Sequence, residues 1–162
     1  MKKIGLNGFR GLGFLLILLT MISISSAGPD SSSVEFKPLD LCIVLDKSWS
    51  MEETMGDKMK LDGAKEAAKN VISVLLPQDR VSVVSFAGTA TAETGFTSDF
   101  EEAKRRIDRI NFDDATSFGA GLNAALNQFD SRGTSDHISA VLFMSDGGHN
   151  TKPDPYPYVV KC

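Results

Sequence analysis

Two short runs of almost unbroken apolar residues constrain this chain most: Leu39 to Leu45, interrupted only by Asp40, and Ile138 to Met144. A strand with one wet face alternates apolar and polar residues. A run that is apolar at nearly every position fits a strand covered on both faces, as in a parallel sheet between layers of helices. Between the two runs the periodicity changes repeatedly. Leu61, Ala64, Ala68, Val71, Ile72 and Leu75 fall at helical spacing and Pro77 stops them. Val81 to Phe86 reads as a second strand, and Ala87-Gly88-Thr89 turns into a weaker strand near Ala90 to Thr94, antiparallel because the turn is short. Ser98 with Glu101 forms a capping box for a helix reaching about Ile110. Phe118, Leu122, Ala125, Leu126 and Phe129 mark another helix, ending near Arg132-Gly133.

This alternation predicts an α/β fold with a Rossmann-like open sheet, mostly parallel with one antiparallel edge strand, and helices on both faces. A sheet ending on its fourth strand would leave an apolar edge open to pairing. We therefore expect either a longer domain or another segment covering that edge.

The first 27 residues have a different character. Lys2, Lys3 and Arg10 precede the apolar stretch Leu12 to Ile24, and Ser25-Ser26-Ala27 offers a small-residue cleavage site. That order reads as a secretory signal peptide, and as a membrane anchor if the leader is retained. The apolar stretch is shorter than the roughly 20 residues of a spanning helix. Residues 28–37 read as a polar linker and 38–162 as the folded domain. The expected location is secreted or at the cell surface.

With net charge −4 the chain lacks the basic stripe of a nucleic-acid binder, and loss of the leader's three cations makes it more acidic. Export permits a disulfide, but Cys42 lies within an apolar strand pattern and Cys162 is the last residue, so no bridge is expected.

The polar residues that follow the two dense strands carry the chemistry. Asp46, Ser48 and Ser50 directly follow the first, and Asp146 follows the fourth. In open α/β sheets, ligands bind beyond the carboxyl ends of the strands where strand order reverses. Neighbouring first and fourth strands would bring these loops together, and Thr116, just before a helix, can reach the same place. Three hydroxyls and two carboxylates suit a hard divalent cation, Mg²⁺ or Mn²⁺, and no Cys/His cluster points to zinc. Ser117 rivals Thr116 for its role. Asp113 and Asp114 read as solvated loop acids, with an auxiliary cation site as the alternative.

Asp-x-Ser-x-Ser after a buried strand, a later Thr, and Asp-Gly after another buried strand resemble the metal-ion-dependent adhesion site of von Willebrand factor type A and integrin inserted domains. Met51, the Gly119-Ala120-Gly121-Leu122 helix start and Phe143-Met144-Ser145-Asp146-Gly147 fit the same pattern. The resemblance spans roughly residues 38–152, about the first two thirds of such a domain. It implies that Asp46, Ser48, Ser50, Thr116 and Asp146 hold Mg²⁺ or Mn²⁺, and that a partner protein offers an Asp or Glu carboxylate to the ion. Trp49 stands where the family often has glycine; it rims the site or, as the favoured expectation, packs beside the loop. His149 is a weaker candidate for partner contact, a plain surface histidine being the simpler reading.

An enzyme is not expected. The chain has no Gly-x-x-x-x-Gly-Lys phosphate loop, no Gly-x-Ser-x-Gly elbow, and no histidine set among a nucleophile and a carboxylate. A metal-dependent hydrolase is the less favoured alternative. A subunit of a larger assembly of the chelatase kind is another, weakened by the export signal.

Overall fold

A computed structural model describes residues 18–19, 36–133, 135–147 and 150–159. The expected leader (apart from 18–19), most of the linker, His149 and Cys162 lie outside the described residues. Four long strands, β1 (Leu39–Asp46), β2 (Arg80–Phe86), β3 (Ala90–Thr97) and β4 (Ile138–Met144), run in the order β4-β1-β2-β3. Among these four, β1 is parallel to both β2 and β4, and only β2–β3 is antiparallel. Leu18–Leu19 makes a two-residue antiparallel rung on β4, opposite Leu142 and Phe143. The edge expected to be open is thus partly paired.

Strand period 2 explains why β1 is apolar at nearly every position. Leu41, Ile43 and Leu45 face a core shared with Leu61, Ala64, Ala68 and Ile72 of α1 (Lys60–Ile72) and with Ala103 and Ile107 of α2 (Phe100–Asp108). Cys42 and Val44 point the other way, joining Val84, Phe86 and Phe143 with Leu122 and Ala125 of α3 (Phe118–Ser131). Each buried Leu, Ile or Phe contributes about 1.5–3 kcal/mol relative to exposure, so both faces must be covered. Cys42 is fully buried in this second core. α3 lies close because Gly121 has no side chain: a Cβ there would meet the Phe86 ring at 2.9 Å and Val44 Cγ1 at 3.2 Å. β3 is only partly buried along its length, as its weak apolar pattern implies.

Three boundaries differ from expectation. α1 stops at Ile72, with Ser73 as its C-cap, before Pro77 is reached. β3 runs on to Thr97, past the weaker signal near Thr94. α2 is capped by Asp99, not Ser98: the Asp99 carboxylate accepts from the Glu102 amide at 2.9 Å, and a carboxylate there also suits the positive helix end.

Candidate functional site

The register of β1 against β4 pairs Leu45 with Met144, so Asp46 and Ser145 emerge side by side at the carboxyl ends of adjacent parallel strands. β1 is also where the chain reverses its direction of travel across the sheet, with β2 laid on one flank and β4 on the other.

Asp46 is fully buried. Its Oδ1 accepts the Ser48 amide at 2.8 Å, and its Oδ2 accepts the Ser145 hydroxyl at 2.6 Å. The same Ser145 oxygen accepts the Gly147 amide at 3.1 Å. Ser145 therefore ties the turn after β4 to the end of β1. Gly147 sits at φ +102°, a conformation that residues with a Cβ rarely adopt.

After Ser48 the chain makes one 3₁₀ turn, Trp49–Glu52, begun by the Met51 amide donating to the Ser48 carbonyl at 2.9 Å. Met51 is buried in the α1-side core and anchors this turn. The Ser50 hydroxyl is thereby brought to donate to Asp146 Oδ1 at 3.0 Å. Its single proton is thus committed, so at the 3.2 Å Ser48–Ser50 contact the Ser48 hydroxyl is the donor. Ser48, Ser50 and Asp146 form one chain of side-chain hydrogen bonds, and the Ser48 amide links that chain to Asp46.

Thr116 arrives through its backbone. Ser117 N donates to Ala87 O at 2.7 Å and Gly88 N to Asp114 O at 3.0 Å, docking this loop on the end of β2. Lys47 N donates to Phe86 O at 2.8 Å and Asp113 N to Lys47 O at 2.9 Å, docking it on the first loop. Asn150 Oδ1 accepts the Thr116 amide at 2.9 Å, while the Thr151 hydroxyl donates to the Thr116 carbonyl at 3.0 Å. Ala115, at φ +64°, holds a strained conformation just before Thr116. Ser117, the rival ligand, is otherwise engaged: its hydroxyl donates to Lys152 O at 2.9 Å and its oxygen caps α3 at the Ala120 amide.

The electrostatics are uneven. Burial pushes the Asp46 carboxyl above its ordinary range, against the hydrogen bonds from Ser145 and Ser48, and the charge of Asp146 adds to the rise. Among the described residues no salt bridge reaches Asp46. Asp146 differs, because Lys60 Nζ lies 2.9 Å from its Oδ2 and 2.6 Å from Glu53 Oε2. The Asp146 hydrogen bond, then that from Glu53, holds the Lys60 ammonium above the ordinary lysine range. Asp113 is exposed and lies 3.3 Å from Lys47 Nζ; the Asp114 amide and then Lys47 hold its carboxyl low. That pairing fits a solvated loop acid.

Trp49 does not pack beside its loop as favoured from sequence; it is 65% exposed, because Met51 fills the core position of the turn. Met55 and Met59, in the small hairpin Thr54–Met55/Lys58–Met59 that follows, are exposed as well. His137, just before β4, places its Nδ1 2.9 Å from Asp40 Oδ1, at the opposite end of β1 from Asp46.

Sequence reasoning missed Lys60, Ser145 as a tie to Asp46, and Asn150 and Thr151 as supports of Thr116. Lys60 had left one signal: it is a cation in the first turn of a helix, where the dipole disfavours it.

A hard cation takes oxygen donors, and this site groups two carboxylates with two serine hydroxyls, the Thr116 loop alongside. The chemistry of that donor set fits Mg²⁺ or Mn²⁺. Among the described residues no group of three or more His, Cys, Asp and Glu side chains forms a metal cluster, so the set relies on hydroxyls for most of its donors.

A family model described as von Willebrand factor type A domain matches residues 41–149. A UPF0353 protein of Nocardia farcinica is 30% identical over 150 residues, covering 88% of this chain and 44% of the relative. The chain thus spans less than half the length of that relative. Among solved structures, an uncharacterized membrane-spanning protein from Vibrio fischeri matches with a TM-score of 0.55 at 25% identity, over 61% of this chain and 52% of that one. The vWF domain of the type V pili tip protein Mfa5 from Porphyromonas gingivalis has the same fold, with a TM-score of 0.55 at 22% identity over 64% of this chain and 36% of that one.

Proposed function

Because the chain belongs to the von Willebrand factor type A family, we propose that it is a metal-dependent protein-binding module displayed outside the cell or on its surface. Asp46, Ser48, Ser50, Thr116 and Asp146 would hold Mg²⁺ or Mn²⁺, and the partner would contribute an Asp or Glu carboxylate. One observation carries this reading: Asp46 is wholly buried at the carboxyl end of β1, with hydroxyl and amide donors around it and, among the described residues, no salt bridge. Burying a carboxylate without a cation costs several kcal/mol, and a site that binds a cation has reason to keep it so.

When bound, the ion supplies an electrophilic position that a partner's carboxylate oxygen can occupy. The protein's own part is positional. Asp46 fixes the Ser48 amide and draws Ser145 toward it. The Met51-anchored turn aims Ser50 at Asp146. Neutral hydroxyls cancel less of the ion's charge than carboxylates would, leaving it attractive to a further anionic ligand. Exposed Trp49 would rim the site with apolar surface, and His149 is the weaker contact.

The role is binding and not catalysis. Ser48 donates to Ser50 and Ser50 to Asp146, an arrangement for ligands and not for a nucleophile with its base. Export follows from the leader pattern in residues 1–27. The membrane-spanning and pilus-tip proteins that share the fold are in keeping with a surface location.

Titration of the chain with Mg²⁺ and Mn²⁺ by calorimetry, beside Asp46→Ala with its fold checked by circular dichroism, tests the reading. Saturable binding in the parent and none in the variant is expected. A folded parent that takes up neither ion would refute it.

A further inference from the structure

Lys60 occupies a position that helix formation alone does not favour. It is the first residue of α1, where unpaired amides make the helix end positive. Its side chain is mostly buried, and its ammonium contacts two carboxylates: Asp146 Oδ2 at 2.9 Å and Glu53 Oε2 at 2.6 Å. The other oxygen of Asp146 faces the Ser50 hydroxyl, and through it Ser48. One carboxylate thus has one oxygen on the hydroxyl pair and the other on a fixed cation. Asp46, the second carboxylate of the set, has no such partner among the described residues. Glu53 follows the 3₁₀ turn, and its carboxylate, 71% exposed, is the ammonium's second anchor on the solvent side.

We propose that Lys60 is the built-in counter-ion of this site: its ammonium neutralises Asp146 while no divalent ion is bound, and it opposes the entry of one. The inference rests on the metal-site reading above. The physical argument is charge competition. An ammonium touching Asp146 offsets part of the attraction that carboxylate has for a second cation, and its own positive charge repels that cation. Glu53 gives the ammonium a partner to keep as Asp146 turns to the metal. Lys60 thereby acts as a positioning residue that sets affinity without being a ligand. It holds Asp146 in place beforehand and keeps metal binding weak enough to follow the supply of the ion.

The sign of one substitution separates this role from a merely structural one. A lysine that only propped up Asp146 would, on removal, loosen the site and weaken Mg²⁺ binding. A counter-ion would, on removal, free the carboxylate and strengthen it. The experiment is calorimetric Mg²⁺ titration of the parent, Lys60→Met and Lys60→Arg chains at low and high ionic strength, with metal-free thermal unfolding to confirm the fold. We expect Lys60→Met to bind Mg²⁺ at least about fivefold more tightly, Lys60→Arg to stay near the parent, and the gap to narrow as salt screens the charge. Should the methionine variant not fold, Lys60→Gln carries the same comparison. Parent binding with equal or weaker binding in the neutral variants would overturn the counter-ion role and leave the metal site standing. Absence of Mg²⁺ binding in every chain would overturn both.

Discussion

Asp40 and Asp46 stand at the two ends of the same strand, six residues apart in sequence and both fully buried, yet their surroundings are opposite. Asp40 is held by two guanidinium groups and an imidazole. Arg80 holds it with two parallel hydrogen bonds of 2.8 Å, Arg132 Nη1 reaches Oδ2, and His137 Nδ1 lies 2.9 Å from Oδ1. Arg132 also donates to Ser139 Oγ at 2.6 Å and lies over the Phe96 and Phe129 rings. Among the described residues, Asp46 has only a backbone amide and a serine hydroxyl. The difference teaches how to tell a structural buried charge from a functional one. Where protein cations satisfy the carboxylate completely, nothing is left to bind. Where they do not, the carboxylate stores a demand for a cation from outside.

The comparison can be broken at its strong end first. Asp40→Ala should lose about 3–5 kcal/mol of stability in urea unfolding, because it takes a fully buried carboxylate away from two partly buried guanidinium groups. Asp46→Asn in metal-free protein should lose little or none, since it removes an uncompensated charge. Equal losses at the two positions would abolish the distinction drawn here.

Next in size is the response to the ion. Mg²⁺ at about a hundred times its dissociation constant should stabilise the parent by about 2.7 kcal/mol, seen as a rise in Tm, and leave Asp46→Asn unmoved. A rise of equal size in that variant would place the ion elsewhere.

A smaller effect follows from pH. The Asp46 carboxyl titrates above its ordinary 3.8 in the fold because burial disfavours its ionised form. Its contribution to stability is therefore fully present below about pH 3.8 and is lost as pH rises through the higher folded value. In metal-free protein, Asp46→Asn should gain on the parent between pH 4 and neutrality, a trend readable from paired unfolding curves. An advantage that shrinks as pH rises would contradict the assignment of burial as the dominant influence.

The two smallest tests sharpen each end. His137→Ala should cost on the order of 1 kcal/mol, because Arg80 and Arg132 still neutralise Asp40 when one hydrogen bond is gone. Trp49→Ala should change stability by less than about 0.5 kcal/mol, its ring being mostly in solvent, and should weaken partner capture on a surface-binding assay.

Much of the fold was legible in the chain because its signals are local. The dense runs of β1 and β4 announced strands covered on both faces, and the positions of Asp46 and Asp146 just beyond them announced a site at the sheet's carboxyl edge. Their meeting required only that β1 and β4 be neighbours, which the register of Leu45 with Met144 provides. The choice between Ser98 and Asp99 as the α2 cap was a local matter too, but both residue types cap helices well, and only the backbone path decided between them.

What the sequence by itself determined was the set of elements and the residue types at their ends, since both follow from periodicity and chain-local chemistry. Tertiary structure alone decided which charged and polar groups meet. Arg80, Arg132 and His137 reach Asp40 across 40, 92 and 97 residues, and Lys60 reaches Asp146 across 86. Asp40, a flaw in an apolar strand by its pattern, became a fully neutralised structural ion, while Asp46, in the same strand, was left without a cation among the described residues. Charge acts through space and burial, neither of which a linear pattern encodes, so packing set the roles of two identical side chains.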